Sequence, residues 1–318
     1  MSKVQKALRR IREGRSEAIS EREKARRQRA YREDDAAYDS GYERQSPESP
    51  KKGAGIIMPE VNETASLPRV TIPEAHIDWV PELLEEYGLR LSDADNEATA
   101  SSYRQIKRPI IANAFSKLET REENANVVMI SSPLPGAGKS FCSYSLALSI
   151  AKEKDITAVL VDADVLKPTV SRAFGIDDRI GLTDYLEDDA SSIDDILVKV
   201  GEEGILTIPA GSLRPNSTEL LASKRMRKFV RSLSHNFSQS VVIVDTPPLL
   251  LTTEAQALTD HVGQLCLVVE AGETSHEQFL EVLESIDRSK PVNAILNKSR
   301  ISTAGGYGGQ YYGYGYGK

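Results

Sequence analysis

Two cysteines, four histidines and one tryptophan in 318 residues leave little material for a disulfide framework or for a metal site of soft ligands. Cys142 and Cys266 each stand in an apolar stretch, as thiols in a reducing compartment do. His76, His235, His261 and His276 share no metal-ligand spacing with one another or with the cysteines. Also missing is any apolar run near the roughly 20 residues that cross a bilayer, and the N-terminus has no apolar core of a signal peptide. The expected location is cytoplasmic, with work at a membrane requiring recruitment to its inner face. Net positive charge is absent overall, 47 Asp/Glu against 40 Lys/Arg giving a formal net charge of −7. Residues 1–30 nevertheless hold eleven Lys/Arg against four Asp/Glu, which leaves the remainder strongly acidic and argues against nucleic acid as a partner.

The last twelve residues contain no aliphatic side chain. They read Tyr307-Gly-Gly-Gln-Tyr311-Tyr312-Gly-Tyr314-Gly-Tyr316-Gly-Lys, so five of the twelve tyrosines crowd into a tract that has no core to join. A flexible 298–318 tail holding its phenols in solvent is the expectation. Taken alone such a tract is only a sticky terminus, and its meaning depends on what precedes it.

Residues 1–39 read as a basic, partly helical segment in which Val4, Leu8 and Ile11 form a short apolar stripe. Residues 40–75, rich in Ser, Pro, Gly and Glu, read as a flexible linker. Two helices are expected next, over 81–87 closing at Gly88 and over about 96–118, the second with Tyr103, Ile106, Ile110, Phe115 and Leu118 as packing residues and a kink at Pro109. Trp79 is expected to be a packing residue. From Asn126 short apolar runs alternate with helical stretches, and strands are expected at Val127–Ile130, Ala158–Val161, Ile205–Ile208, Val241–Val244, Leu265–Val269 and Val292–Leu296. Their nearly continuous apolar character implies burial on both faces. The fold class is thus α/β, a mostly parallel sheet between two helix layers, in a domain spanning 76–297.

The first strand runs into Ser131-Ser-Pro-Leu-Pro-Gly136-Ala137-Gly138-Lys139-Ser140 and then into a helix beginning near Phe141. A strand, a glycine-rich turn and a helix N-terminus make a phosphate cradle. Backbone N–H groups of Gly136, Ala137, Gly138, Lys139, Ser140 and Phe141 can face an anion, Lys139 can span the β/γ oxygens of ATP, and the Ser140 hydroxyl can ligate Mg²⁺. Pro133 replaces the first glycine of the general G-x-x-x-x-G-K-[ST] pattern. Two further strands end in Asp162-Ala-Asp164 and in Asp245-Thr-Pro-Pro248. C-terminal strand ends of a parallel sheet share one edge, so Asp162, Asp164 and Asp245 should converge beside Lys139, where Mg²⁺ would offset their charge.

These motifs resemble the bacterial tyrosine kinases, which use a P-loop. The resemblance runs from about residue 97 to the C-terminus, with Walker A, A′ and B motifs at 131–140, 159–164 and 242–245. Pro209-Ala-Gly211, Pro215-Asn216, Glu219-Leu-Leu221, Ile295-Leu-Asn297 and the tyrosine cluster agree with it. Tyr103-Arg-Gln-Ile-Lys-Arg-Pro109 with Ala112-Asn-Ala-Phe115 is most similar to the tyrosine autokinases of exosortase-associated exopolysaccharide loci. The resemblance implies ATP and Mg²⁺ as cofactors, Asp164 and Asp245 in the metal shell with Ser140, Asp162 as base for the tyrosine hydroxyl, and Asn297 reading adenine. The division of labour between Asp162 and Asp164 stays open. It implies Tyr307, Tyr311, Tyr312, Tyr314 and Tyr316 as phosphoacceptors, a membrane-embedded polysaccharide chain-length-determining protein as activator, a phosphotyrosine phosphatase as antagonist, and a homo-oligomer. Many members assemble rings through a Glu-x-x-Arg-x-x-Arg helix, whereas Ser101-Ser-Tyr-Arg104-Gln-Ile-Lys107 lacks the glutamate and second arginine. The alternatives are a partition-type ATPase switch, disfavoured because Leu134 replaces that group's extra lysine, and an ATP-gated scaffold that transfers nothing.

Overall fold

The structure is a computed structural model that describes residues 70–299, apart from 79, 90–92, 117–122, 188, 189, 191 and 288. All of them fall in one compact unit, Thr64–Lys318. The expectations for residues 1–39, for most of the 40–75 linker, for Trp79 and Leu118, and for the tyrosine tail lie outside the described residues.

Seven strands form the sheet: β1 (Val127–Ser131), β2 (Thr157–Asp162), β3 (Val198–Val200), β4 (Ile205–Ile208), β5 (Ser240–Asp245), β6 (Gln264–Glu270) and β7 (Val292–Asn297). Their order is β3-β4-β2-β5-β1-β6-β7. All pairings are parallel except β3 with β4. Strands β1, β2, β4 and β5 are buried almost throughout, as their β-branched runs dictate. Strand β7 differs from expectation: it is an edge strand, and only Ile295 along it is buried. Strand β3 escaped the sequence reading because three residues centred on Lys199 carry too little apolar signal. Its outer edge is covered by Ile77, whose N–H donates to Lys199 O at 2.9 Å while Gly201 N–H donates to Ile77 O at 2.8 Å.

Helices cover both faces. On one side lie α1 (Pro81–Glu86), α2 (Asp93–Ala114), α3 (Lys139–Ala151) and α4 (Thr169–Ala173). They enclose Ile110, Leu146, Ile150 and Phe174 against Val128, Ile130, Leu160 and Ile243. On the other side lie α5 (Leu182–Leu186), α6 (Ile193–Ile196), α7 (Ser217–Leu221), α8 (Lys224–Asn236), α9 (Thr253–Thr259) and α10 (His276–Ser285). Here Phe229, Val230, Leu233 and Val282 pack on Met129, Val161 and Val244. Neighbouring residues of one strand thus enter opposite cores, which is the period of two at work.

Helix α2 begins at Asp93, three residues earlier than expected, and ends at Ala114; it continues through Pro109. Tyr103 and Ile110 are buried in it, but Phe115 stands 38% exposed just beyond its end. The folded unit also starts before residue 76, since Val70 packs on the core and Thr71 N–H donates to Asp194 Oδ1 at 2.8 Å. Cys142 and Cys266 are free and buried, with burial pushing the Cys142 thiol up to about 12. Among the described residues no helix is long and apolar enough to cross a membrane.

Candidate active site

The phosphate loop follows β1 and opens α3. Gly136 and Gly138 both take φ 89°, a region that side-chain-bearing residues avoid. Gly138 is the N-cap of α3, where no side chain caps the helix. The first N–H groups of α3 are therefore left for an anion, at the end of the helix with positive partial charge. The loop is fixed from behind: Leu249 N–H donates to Ser132 O at 2.9 Å, and the Ser131 hydroxyl donates to Pro247 O at 2.7 Å. Lys139 is buried, and its positive charge opposes the rise that burial imposes on the Asp164 and Asp245 carboxyls.

Adjacent β2 and β5 end in register at Asp162 and Asp245. Both carboxylates are fully buried. Asp162 Oδ2 accepts from Ser171 N–H at 2.8 Å and from Ser171 Oγ at 2.7 Å, and Ser171 Oγ in turn accepts from Ala210 N–H at 3.0 Å. Burial, then the neighbouring Asp245, pushes Asp162 up to about 8 against those two hydrogen bonds. Asp245 Oδ1 accepts from Ser143 Oγ at 2.9 Å. Burial pushes Asp245 up to about 6, opposed by the nearby Ser140 hydroxyl, the charge of Lys139 and the Ser143 bond. Asp164 is also raised by burial, with Lys139 pulling the other way and Glu254 adding to the rise.

Lys139, Ser140, Asp162, Asp164 and Asp245 are thus brought together at one sheet edge. Asp162 Oδ1 and Asp245 Oδ2 are buried without a hydrogen-bond partner. Such an oxygen is open to a cation or to a transferred proton. Among the described residues, no group of three or more His, Cys, Asp or Glu side chains is arranged to hold a metal by itself. That suits Mg²⁺, which takes one or two carboxylates and completes its shell with phosphate and water.

Two expected contributors sit differently. Phe141 stacks edge-on against Tyr103, with ring centroids 6.5 Å apart, so only its backbone faces the loop. Both rings line a cavity of about 810 Å³ between α1, α2 and α3, on the far side of α3 from the aspartates. Asn297 touches the phosphate loop: its Nδ2 donates to Ala137 O at 2.8 Å. A methyl group at Gly138 would overlap that same nitrogen.

Several participants were missed. Ser143 lies four residues after Lys139, one helical turn on, and that spacing was a usable signal. Glu254, buried near Asp164, and Ser171, nine residues from Asp162, carried none. The Pro209-Ala-Gly211 motif acts through packing. Leu182 N–H and Thr183 N–H donate to Pro209 O at 2.8 Å and Ala210 O at 3.0 Å. Asp184 gathers Gly181 N–H at 2.8 Å, Ser212 N–H at 3.1 Å and Arg214 Nη2 at 2.9 Å. Lys107, in the stretch compared with the ring-forming helix, is buried and engaged within the chain, donating to Ser149 O and pairing with Glu153 Oε1, both at 2.6 Å.

The sheet order, the glycine turn at a helix N-terminus and the aspartates at neighbouring strand ends define a P-loop NTPase-like protein. No family model matches the chain. It is 35% identical over 216 residues to the tyrosine-protein kinase YwqD of Bacillus subtilis, an overlap of 67% of this chain and 86% of that one. It is 31% identical over 222 residues to the tyrosine-protein kinase CpsD of Streptococcus agalactiae, covering 67% of this chain and 94% of that one. The solved kinase domain of the Escherichia coli tyrosine kinase ETK matches with a TM-score of 0.52 at 31% identity, over 64% of this chain and 76% of that one. The chain belongs to the bacterial tyrosine-protein kinases.

Proposed function

We propose that this protein is an ATP-dependent protein-tyrosine autokinase that phosphorylates its C-terminal tyrosines and thereby regulates synthesis or export of an exopolysaccharide. The observation that carries the reading is the meeting of Lys139 and Ser140, at an uncapped helix N-terminus, with Asp162 and Asp245, each holding one buried carboxylate oxygen free of protein partners. ATP is the phosphoryl donor. Lys139 offsets charge on its β/γ oxygens, and the loop N–H groups bind the phosphates. When bound, Mg²⁺ supplies further charge neutralisation, held by the Ser140 hydroxyl and by Asp245 and Asp164. Ionised in the positive field of bound Mg²⁺, Asp162 would accept the proton of the attacking tyrosine hydroxyl. Ser171 holds its Oδ2, leaving Oδ1 for that proton. Asn297, at the end of β7, contributes to the adenine side of the site through its Oδ1.

Tyr307, Tyr311, Tyr312, Tyr314 and Tyr316 are the acceptors. Tyr307 stands ten positions beyond Asn297, within about 35 Å of it along an extended chain, so a single site can serve several of them. The activator is a membrane-embedded chain-length-determining protein, which recruits the kinase to the inner face of the membrane; a phosphotyrosine phosphatase resets it, and the unmodified form self-associates. The Tyr103-Arg-Gln-Ile-Lys-Arg-Pro109 and Ala112-Asn-Ala-Phe115 stretches favour an autokinase of an exosortase-associated locus.

The test is incubation of the purified full chain with Mg-ATP, with and without the activator's cytoplasmic segment, followed by peptide mapping. Phosphotyrosine that disappears in Lys139→Met supports the kinase. Phosphate release with no phosphotyrosine, even with the activator, would replace it with the ATPase switch.

A further inference from the structure

Two consecutive carbonyls of the phosphate loop are held from outside by the end of β7. Asn297 Nδ2 donates to Ala137 O at 2.8 Å, and Lys298 Nζ donates to Gly136 O at 2.7 Å. The same ammonium pairs with Glu270 Oε1 at 2.8 Å. Glu270 is itself placed by the sheet: it lies in register with Asn297, and its N–H donates to Thr274 Oγ1 at 3.0 Å. Lys298 takes φ 57°, the left-handed region, immediately after the last strand.

The consequence follows from peptide geometry. A trans peptide unit points its C=O and the following N–H in opposite directions. Donors that hold the Gly136 and Ala137 carbonyls on the outer side therefore turn the Ala137 and Gly138 N–H groups to the inner side. Neither N–H has a backbone acceptor among the described residues. Successive N–H groups aimed into one concavity make an anion nest. A surface Lys–Glu pair alone would contribute little. Here the ammonium also grips a backbone carbonyl of the loop, and Asn297 repeats the grip one residue on.

We propose that Lys298, held by Glu270, is a positioning residue for ATP: it fixes the Gly136 carbonyl outward and so keeps the Ala137 N–H turned toward the phosphates. The inference rests on the reading that residues 131–140 hold the phosphates. It adds a residue outside the loop, at the first position of the 298–318 tail, to the machinery that shapes the loop.

The test compares the full-length wild type with Lys298→Met, Lys298→Arg and Glu270→Gln. Each is titrated calorimetrically with Mg-ATP and Mg-ADP, then assayed for phosphotyrosine formation over a range of ATP. Lys298→Met is expected to weaken both nucleotides roughly three- to tenfold and to raise KM in step, with kcat within about twofold of wild type, because the lost interaction is made equally in ground and transition states. Lys298→Arg, which keeps a donor, should restore most of the affinity, and Glu270→Gln should move affinity in the same direction as Lys298→Met. Melting temperatures check that the variants are folded. Unchanged affinity in Lys298→Met, or a Lys298→Arg variant no better than it, overturns the proposal. A wild type that binds ATP yet forms no phosphotyrosine would remove the kinase reading, while the calorimetry would still decide the role of Lys298.

Discussion

Asp162 and Asp245 end neighbouring parallel strands in register, fully buried, each with one oxygen bonded to a serine and the other without a partner. Two like charges so placed disfavour one another's ionisation. Both carboxyls have folded values above the ordinary one, about 8 for Asp162 and about 6 for Asp245. The sign follows: the folded state binds more protons than the unfolded chain, so the contribution is fully present below the unfolded value of about 4 and is lost as pH rises toward 8. Metal-free protein in chelator should melt at progressively lower temperature from pH 5 to 8. Asp162→Asn should flatten that slope and melt no lower than wild type at pH 8, while phosphotyrosine formation falls by about 100-fold or more.

Gly138 has two reasons to be glycine: its φ of 89° and the Asn297 nitrogen standing where a Cβ would go. Gly138→Ala should cost about 1–3 kcal/mol in stability from backbone strain and should weaken ATP by more than tenfold, because Asn297 must leave the loop. Adding Asn297→Ala should relieve the overlap but not the strain. Denaturant melts and ATP titrations of the single and double variants check both parts.

Asp184 joins α5 to the loop after β4. Burial alone would raise its carboxyl, but the Gly181 N–H, Arg214 and Ser212 hold it below the ordinary range. A depressed carboxylate stabilises above its unfolded value of about 4 and loses that contribution as pH falls through its folded value. Asp184→Asn should destabilise by about 1–3 kcal/mol at pH 7, because the charge-assisted bonds from Gly181, Ser212 and Arg214 weaken while Arg214 keeps its pair with Glu187 at 2.9 Å. The gap between the two proteins should narrow below pH 4.

Each phosphotyrosine adds about −1.5 to −2 charges, so five on the tail would deepen an already negative balance by roughly −8 to −10. Repulsion between copies follows at short range. Sedimentation velocity should show more self-association in dephosphorylated protein than in fully phosphorylated protein.

The central strands and the aspartates that end them were legible because burial on both faces leaves a continuous apolar run, and because a parallel sheet brings its strand ends to one edge. The glycine loop was legible from local order alone. What sequence could not give were contacts between distant segments. Ser171 reaches Asp162 only through the turn that carries α4, and Glu270 meets Lys298 only once β6 and β7 are in register. Asn297 was expected to read adenine from a strand end, whereas its bond to Ala137 depends on the width of the sheet between them. Strand β3 was too short to register, and the exposure of β7 follows from its place at the edge, which the run Val292–Leu296 does not encode.

The most direct measurement uses γ-labelled ATP with two proteins, the wild type and a variant carrying phenylalanine at 307, 311, 312, 314 and 316, after both are shown to bind ATP equally. The account predicts label on the wild-type chain, mapped to those tyrosines, and essentially none on the variant. Equal labelling of the two proteins, or label recovered only as inorganic phosphate, would contradict it.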